Sequence, residues 1–552
     1  MKKILSLTLA ILLILAVMPI GTITAGALTS GNYTYTVSNG AATITDCNTS
    51  VSGSITIPAT IGGYPVTTIG SEAFKNCTNL TSATIGNNVT TINRSVFANC
   101  TALTSVVIGG SVKSIGTYIF ENCTSLVNIT VGTTNTNYSS SDGVLFNKGK
   151  TKLISYPAGK SSATYAIPST ITSLENYAFA YAKGITSMTI PDNVTTIGRY
   201  VFVHCENITG IKISKNVNSI GYASFFYCPK LQNITVDANN ENYCSVYGKL
   251  FNADKTQLIC FPAGQSISEY SVPNSVESIY HYAFAGAANL TSVTIGSGVT
   301  SIGEYAFADC TGLKSIKLSG NITAIKMRAF SACTSLESII IPNGVTELGN
   351  DAFWNCTALA SIYIPKTLTK IGNFTFSRCS NLKTVYYCGT EDQWAGISIG
   401  SSNDYLTKAT VVYHDYQATT VKPTCTKDGY TVHTCSFCGD KYVTDEVSAT
   451  GHSFGEWTTR TESGCITEGE EYRICSVCGV EETNVKEAIG HNYVSKVTTP
   501  DCTNNGYTTH TCEYCGDTYT DSITSALGHN YNATVTNNCV VSREGTITRR
   551  KI

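Results

Sequence analysis

A phenylalanine that returns every 23 residues is the feature of this sequence that most restricts its fold. The step holds within three blocks, and steps of 59 residues join one block to the next. A fixed period in this range is the signature of stacked structural repeats, each of which contacts only its neighbours. The sequence therefore predicts a repeat solenoid. The eleven positions are Phe74, Phe97, Phe120, Phe179, Phe202, Phe225, Phe284, Phe307, Phe330, Phe353 and Phe376.

One repeat, residues 80–103, divides into two short extended pieces and one tight turn. LTSATI alternates apolar and polar residues as a half-buried strand does, GNN has turn chemistry, and VTTI is a second extended piece. SVFANC has the length of a single helical or 3-10 turn. Because one coil cannot bury its apolar face alone, we expect about ten coil-to-coil steps of roughly 4.8 Å to form a continuous core.

Cysteine follows the phenylalanine by three residues in nine repeats, and Ala182 and Ala287 take the position in the other two. A cysteine that exchanges with alanine fills a small apolar space, and a buried thiol with apolar neighbours is inert. The column therefore predicts an interior position without thiol chemistry. Its members are Cys77, Cys100, Cys123, Cys205, Cys228, Cys310, Cys333, Cys356 and Cys379.

The pattern L-x-x-I-x-I-x-x-x-V-x-x-I-G-x-x-A-F-x-x-C resembles the BspA-like, or Treponema-type, bacterial leucine-rich repeats over about residues 30–415. The resemblance implies a leucine-rich-repeat solenoid of short parallel strands and tight turns on an exported bacterial protein. Members are associated with adhesion to host or neighbouring-cell components. The family implies no catalytic residues.

The sequence divides into several predicted regions. Lys2 and Lys3, an apolar run over 4–20 and a small-residue segment at 25–27 predict a secretory signal peptide, with a membrane anchor as the alternative. No second long apolar segment follows, so we expect a secreted or cell-surface protein without a stable transmembrane segment. The regions are a signal peptide at 1–27, an N-terminal cap at 28–68, a solenoid at 69–380 with insertions at about 132–166 and 237–271, a C-terminal cap at 381–413, and Cys/His modules at 414–552.

The two insertions resemble each other over residues 137–160 and 242–265. Each predicts a β-hairpin at the solenoid edge, with its turn at 147–149 or 252–254. Cys244 and Cys260 replace two serines of the first copy, Ser139 and Ser155. Because both positions change together, a disulfide is one interpretation and two unrelated thiols the other.

From about residue 414 a second repeat carries most of the metal-binding residue types. Three cysteines recur with the spacing C-x9-C-x2-C, and a histidine, usually preceded by glycine, separates the units. Three thiols and one imidazole are a standard ligand set for structural zinc. Export favours disulfides instead, and whether the histidine precedes or follows its triplet stays open. The candidate ligands are His414, Cys425, Cys435, Cys438, His452, Cys465, Cys475, Cys478, His491, Cys502, Cys512, Cys515 and His529.

These units resemble Gly-His and C-x2-C modules found in tandem on exported proteins of anaerobic Gram-positive bacteria. His433 and His510 share a column with Arg473 and are poor ligand candidates. A fourth unit begins at His529 and Cys539, but RRKI stands where its C-x2-C pair is due. We therefore expect either a longer natural protein or an interrupted gene.

Composition and histidine placement argue against catalysis and against nucleic-acid binding. The formal net charge is −2 with 13% charged residues, so no basic field exists for nucleic acid. His204 and His281 are the only solenoid histidines, and neither belongs to a recurring group with a nucleophile or carboxylate. We predict a protein that is not an enzyme.

One residue per repeat lies between the two inward residues of the longer strand and points outward. The row is threonine-rich at first and ends in Ile340, Tyr363 and Tyr386, with Trp394 nearby. Grouped exposed aromatic residues are typical of recognition surfaces, although packing against the C-terminal cap is the alternative. We predict a monomeric adhesion or protein-recognition molecule with an extracellular protein or glycan ligand. The alternative function is a carbohydrate-binding component of a surface polysaccharide-handling system.

Overall fold

The structure, a computed structural model, describes residues 26–414, 416–436, 439, 441–529, 540–541 and 547–548. Residues 1–25 of the predicted signal peptide lie outside the described residues, as do Cys438 and Cys539. The described residues form two compact units, one within 1–416 and 435–440 and the other within 417–434 and 441–552. Over the ranges given above, no helix has both the length and the apolar character needed to cross a membrane.

The first unit begins with a small β-structure that leads into the repeats. Its strands are β1 (Leu28–Ser30), β2 (Tyr33–Ser38), β3 (Ala41–Cys47), β4 (Ser52–Thr56), β5 (Thr60–Ile61) and β6 (Tyr64–Ile69). β1, β2 and β3 form an antiparallel sheet, and β5 pairs antiparallel with β6. β3 pairs in parallel with β6, so this sheet is continuous with the repeats.

The coils that follow contribute to two series of parallel strands. Before the first insertion the strands are β7 (Asn79–Ile85), β8 (Thr91–Ile92), β9 (Ser105–Ile108), β10 (Ser114–Ile115) and β11 (Asn128–Val131). β4, β7, β9 and β11 form one sheet, whereas β6, β8 and β10 continue the other. Ala83, Val106 and Ile129 are Cα partners, so each coil advances the register by one 23-residue repeat.

The later coils repeat this arrangement around the two insertions. The first insertion contains β12 (Tyr138–Ser141), β13 (Val144–Asn147) and β14 (Lys152–Ser155). After it come β15 (Ser173–Leu174), β16 (Ser187–Thr189), β17 (Thr196–Ile197), β18 (Gly210–Ile213), β19 (Ser219–Ile220) and β20 (Asn233–Val236). The second insertion contains β21 (Tyr243–Val246), β22 (Lys249–Asn252) and β23 (Gln257–Cys260). After it come β24 (Glu269–Ser271), β25 (Ser278–Ile279), β26 (Ser292–Thr294), β27 (Ser301–Ile302), β28 (Ser315–Lys317), β29 (Ser338–Ile340), β30 (Glu347–Leu348), β31 (Ser361–Ile364) and β32 (Lys370–Ile371).

Each insertion is a three-stranded antiparallel meander, whereas the sequence predicts one hairpin. The predicted turn after Asn147 is present between β13 and β14, and a second turn at Asp142 and Gly143 joins β12 to β13. Both turn residues have positive φ, at 48° and 73°. β14 and β23 then pair in parallel with β15 and β25, so the third strand of each meander belongs to a coil.

The disulfide considered for Cys244 and Cys260 is not formed. Cys244 lies opposite Phe251 and Cys260 opposite Leu250, so the middle strand β22 separates the two thiols. Two inter-strand spacings amount to roughly 9.5 Å, beyond the Cα separation of about 7 Å that a disulfide spans. The Cys244 thiol instead donates to the Asn252 carbonyl oxygen at 3.3 Å.

The solenoid closes with a cap that contains its only two helices among the described residues. The cap contains β33 (Thr384–Tyr387), α1 (Glu391–Ala395), β34 (Ser398–Ile399), α2 (Asp404–Thr407) and β35 (Thr410–Tyr413). Thr390 caps α1, because its hydroxyl accepts from the Gln393 amide while the Gln393 side chain accepts from the Thr390 amide. β33 and β35 continue the longer-strand sheet, and β34 continues the shorter one.

The interior is a column of stacked phenylalanine rings. In the last block, consecutive ring centroids lie 4.6, 5.3, 5.4 and 5.4 Å apart from Phe284 to Phe376. Three buried clusters correspond to the three blocks. The distance between successive coils therefore sets the distance between successive rings in the core.

Tyr156 and Phe261 continue this column inside the insertions. Each lies 23 residues before the first phenylalanine of the next block, and their rings stack on Phe179 and Phe284 at 5.1 Å. An insertion is thus a coil with its own ring plus an added loop. The phenylalanine pattern of the sequence did not identify these two rings, because the repeat pattern around them is altered inside each insertion.

The segment predicted as a helical or 3-10 turn is a series of turns with left-handed residues. The Cys100 amide donates to the Phe97 carbonyl at 3.1 Å, an i to i−3 bond of 3-10 type. Ser95 and Asn99 have φ of 54° and 62°, which prevents a continuous helix. The Cys100 thiol also donates to the Phe74 carbonyl of the preceding coil at 3.1 Å, and other column thiols make the same contact.

The thiols of the cysteine column are expected to resist alkylation in the folded protein. Burial raises the pKa of Cys205, Cys310 and Cys379 to about 12, so at pH 8 these groups remain protonated and inaccessible. Mass spectrometry after brief iodoacetamide treatment should find them unlabelled, with full labelling in denaturant. Labelling at equal rates in both states would contradict a closed interior.

The modules after residue 414 are small antiparallel sheets. Their strands are β36 (Tyr416–Val421), β37 (Gly429–Cys435), β38 (Lys441–Val447), β39 (Thr458–Thr461), β40 (Gly469–Ile474), β41 (Glu481–Lys486), β42 (Tyr493–Thr498), β43 (Gly506–Cys512), β44 (Thr518–Thr524), β45 (Val540–Val541) and β46 (Ile547–Thr548). Three sheets have three strands each, and β45 pairs with β46.

Candidate metal centres and binding surface

Two clusters of three thiols and one imidazole lie in the second unit. In the first cluster the ligand atoms of Cys425, His452, Cys475 and Cys478 all lie within 4.8 Å of one another. The Sγ atoms of Cys425 and Cys475 are 3.7 Å apart, and Cys478 Sγ is 3.3 Å from His452 Nδ1. The four side chains therefore converge on one point.

The second cluster repeats this geometry with Cys465, His491, Cys512 and Cys515. The Sγ atoms of Cys465 and Cys512 are 3.5 Å apart, and Cys515 Sγ is 3.3 Å from His491 Nδ1. Zinc–sulfur bonds of about 2.3 Å in a tetrahedron place two sulfurs roughly 3.8 Å apart. Both clusters thus have the residue types and nearly the spacing of a Cys₃His metal site, and they could hold a metal ion.

Each cluster draws its ligands from two successive units. Cys425 comes from one C-x9-C-x2-C triplet, whereas Cys475 and Cys478 come from the next. The sequence could not decide on which side of a triplet the histidine acts. In the structure, His452 joins the cysteine pair that follows it and the single cysteine that precedes it.

Glycines create the two turns that present these ligands. Gly479 has φ of 72° and donates to the Cys475 carbonyl at 2.9 Å, which closes the C-x2-C turn at the end of β40. Gly451 has φ of 71° and donates to the Cys425 carbonyl at 3.1 Å, immediately before His452. Left-handed backbone favours glycine, so the Gly-His pair is a structural requirement of the site.

Hydrogen bonding favours the thiolate form of one cysteine in each cluster. Desolvation raises the pKa of Cys475, but donors that include the Cys478 and Val477 amides and the His452 ring together lower it to about 5. Cys512 has the same kind of surroundings, and its pKa falls to about 6. Thiolates are the form that binds metal, so each cluster holds one ready ligand at neutral pH.

The remaining predicted ligands lie outside the two clusters. Among the described residues, Cys435, Cys502, His414 and His529 belong to neither group. Cys438 lies outside the described residues. His433 and His510 donate or accept within their own sheets, with Thr444 and Asp521 respectively.

The outward row contains the predicted aromatic patch except for Trp394. Ile340, Tyr363 and Tyr386 are successive Cα partners on β29, β31 and β33, and the two tyrosine rings stack at 4.5 Å. Ile340 is 55% exposed, and both tyrosines are half-buried. Trp394 instead packs on Tyr387 at 5.2 Å, and Tyr387 points into the core. Because Tyr387 and Tyr386 face opposite sides of the strand, Trp394 packs on the core-facing side and does not join the outward patch.

A second aromatic row, missed in the sequence, lies two residues before the phenylalanine column. Tyr177 stacks on Tyr200 at 5.0 Å and Tyr282 on Tyr305 at 4.6 Å, while the Tyr118 and Tyr177 hydroxyls are hydrogen-bonded. All five have positive φ between 56° and 64°, which is uncommon for bulky residues. The recurring Y-x-F pattern at the 23-residue step is the signal that identifies it.

Two cavities open beside this tyrosine row. One of about 350 Å³ lies at the first insertion and is lined by residues including Phe120, Tyr156 and Tyr177. Another of about 260 Å³ is lined by aromatic side chains together with Asp309 and Arg328. The aromatic members are Phe226, Tyr282, Tyr305 and Trp354.

The parallel coils, their 23-residue register and their ring column define a leucine-rich-repeat protein. Six copies of the BspA type leucine rich repeat region match residues 47–165, 158–262 and 254–383, which is more than half of the chain. The chain belongs to the BspA-type leucine-rich-repeat family.

Solved structures of bacterial leucine-rich-repeat proteins are similar to this chain. A leucine rich cell surface protein from Faecalibacterium prausnitzii is 30% identical over 68% of this chain and 98% of its own, with a TM-score of 0.41. A leucine-rich repeat protein from Eubacterium ventriosum is 20% identical over 71% and 97%, with a TM-score of 0.35. The pneumococcal vaccine antigen PcpA is 18% identical over 72% and 100%, with a TM-score of 0.36. No curated protein matches the chain.

Proposed function

We propose that this chain is an exported, non-catalytic protein that recognises another protein at the bacterial cell surface. Membership of the BspA-type family supports the proposal, as does the similarity to a leucine rich cell surface protein. The observation that carries it is the ladder formed by Ile340, Tyr363 and Tyr386 on the outward face of the sheet.

The ladder has the chemistry of a binding hot spot. Stacked tyrosines offer a large rigid surface at low cost in side-chain entropy, and tyrosine is enriched among residues that dominate binding energy. Ile340 extends this surface by one coil, and exposed Lys317 lies one repeat earlier in the same row. An apolar centre with a charged neighbour is the usual layout of a protein interface.

Replacing Tyr363 and Tyr386 together by alanine is expected to weaken partner binding at least tenfold without unfolding the array. Both side chains point away from the core, so their loss leaves the phenylalanine column intact. The full chain can be screened against purified extracellular proteins, and affinities of the positives measured by surface plasmon resonance.

Thr189→Ala with Thr294→Ala provides the matched control, because both threonines are exposed in the same row. This double variant should bind as tightly as the unaltered protein. If the tyrosine variant also binds unchanged, the ladder is not the recognition surface.

Carbohydrate binding is the second candidate function, and the cavity of about 260 Å³ favours it. Aromatic faces beside Asp309 and Arg328 combine an apolar platform with polar groups, as small-ligand sites do. A glycan array run beside the protein screen separates the two functions. Trp354→Ala should abolish glycan binding if this cavity is used, whereas the tyrosine-ladder variant should not.

We also propose that zinc occupies both Cys₃His clusters and has a structural role. Four protein ligands fill a tetrahedral coordination sphere and leave no open position for a reacting water. The modules would then act as a metal-stabilised stalk or spacer.

A further inference from the structure

We propose a third metal site, in which Cys388 of the solenoid cap acts together with His414 and Cys435. This inference concerns the first compact unit, to which all three residues belong. It is independent of the proposed recognition function. Cys388 lies within the leucine-rich-repeat cap and outside the C-x9-C-x2-C repeats, so the triplet pattern does not reveal it.

The sequence intervals between these three residues equal those between Cys465, His491 and Cys512 of the second cluster. Cys465 precedes His491 by 26 residues, and His491 precedes Cys512 by 21. Cys388 precedes His414 by 26 residues, and His414 precedes Cys435 by 21. Two independent intervals therefore agree.

Cys388 and Cys435 have the same burial as the cysteines at the corresponding positions of the two clusters. The single cysteine is 5% exposed at Cys425, 8% at Cys465 and 5% at Cys388. The first cysteine of the C-x2-C pair is 1% exposed at Cys475, at Cys512 and at Cys435. Cys388 and Cys435 are thus as buried as the corresponding cysteines of the two described clusters.

The turn after Cys435 and the ring contact of His414 also resemble those in the two clusters. The Gly439 amide donates to the Cys435 carbonyl at 3.0 Å with φ of 70°, as the glycines after Cys475 and Cys512 do. The His414 ring stacks at 4.7 Å on the aromatic residue two positions later, Tyr416. His491 stacks in the same way on Tyr493 at 5.0 Å, and the His452 ring lies 5.2 Å from the tilted ring of Phe454.

Strand pairing brings Cys388 and His414 to neighbouring positions. β33 ends at Tyr387 and β35 at Tyr413, and these two residues are Cα partners on parallel strands. The His414 amide donates to the Tyr387 carbonyl at 3.2 Å. Tyr413 stands where the clusters have glycine before histidine, because here the sheet positions the histidine.

The C-x2-C turn belongs to the same compact unit as the cap. Residues 435–440 group with 1–416, whereas the rest of that module groups with the second unit. The second thiol of the pair, Cys438, corresponds in sequence to Cys478 and Cys515 but lies outside the described residues. The proposal rests on the three ligands that are described.

Counting zinc ions in the full chain by native mass spectrometry tests this site. With two clusters already described, the proposal expects three ions per chain, and two in Cys388→Ala. Cys379→Ala is the matched control and should keep three, because alanine occupies the same column at Ala182 and Ala287. Equal zinc content in Cys388→Ala and the unaltered chain would overturn the proposal.

His414→Ala provides an independent variant in case Cys388→Ala does not fold, because His414 is only half-buried. Cobalt substitution adds a spectroscopic readout, since thiolate-to-cobalt charge-transfer absorption reports the number of bound thiolates. That absorption should fall in His414→Ala because the ion at this site is lost. Unchanged absorption and zinc content in this variant would also overturn the third site.

Discussion

Removing metal from the protein with a chelator at neutral pH is expected to unfold the modules over residues 417–529 and leave the solenoid folded. Within the described part of these modules, the buried apolar side chains in the second unit are cysteines alone: Cys425, Cys465, Cys475 and Cys512. Sheets of three short strands without an apolar core are marginal by themselves. A structural zinc site contributes on the order of 10 kcal/mol of apparent folding free energy, so its loss exceeds what the sheets can supply.

Hydrogen exchange read by mass spectrometry measures this effect separately for each region. After chelation, amides of β40 and β43 should exchange within seconds, while those of the coils stay protected. Cys512→Ala should reproduce the loss around β43, and Cys379→Ala should not. Modules that keep their protection without metal, and gain mass on reduction, would support the disulfide alternative.

Replacing Phe330 by alanine is expected to destabilise the solenoid by about 3–5 kcal/mol. The ring is fully buried and lies between Phe307 and Phe353, with centroids at 5.3 and 5.4 Å. Its removal leaves a cavity between two rigid neighbours and deletes two stacking contacts. Because repeat arrays can open locally, hydrogen exchange of the flanking coils is the measurement, beginning with the Phe330 amide that donates to Ala352.

Phe374→Ala is the matched control for this variant. Phe374 is 45% exposed and lies outside the ring column, so its loss should cost less than about 1 kcal/mol. Similar costs for Phe330 and Phe374 would mean that the column does not carry the stability of the array.

The repeat period predicted most of the solenoid because it encodes register directly. A side chain that recurs every 23 residues must occupy the same place in each coil, so the burial of Phe330 and Cys333 followed without structural knowledge. The insertions were harder, because Tyr156 replaces phenylalanine and the flanking pattern changes. Trp394 was misplaced because the sequence does not specify which side of the cap the loop covers.

The metal centres show a different limit of sequence reasoning. The repeated C-x9-C-x2-C spacing identified the residue types, but the first cysteine of a triplet and the C-x2-C pair of the same triplet belong to different clusters. Gly451 and Gly490 determine the grouping, because each donates to the carbonyl of the preceding single cysteine. That contact depends on folded backbone geometry, which spacing alone does not reveal.

The division of each ligand set between successive units also sets an order of assembly. A ribosome adds Cys425 to the growing chain 50 residues before Cys475, and Cys465 precedes Cys512 by 47. A newly made unit therefore waits with an incomplete coordination sphere until the next one follows. Completion of each cluster should therefore trail the appearance of its first cysteine by one unit.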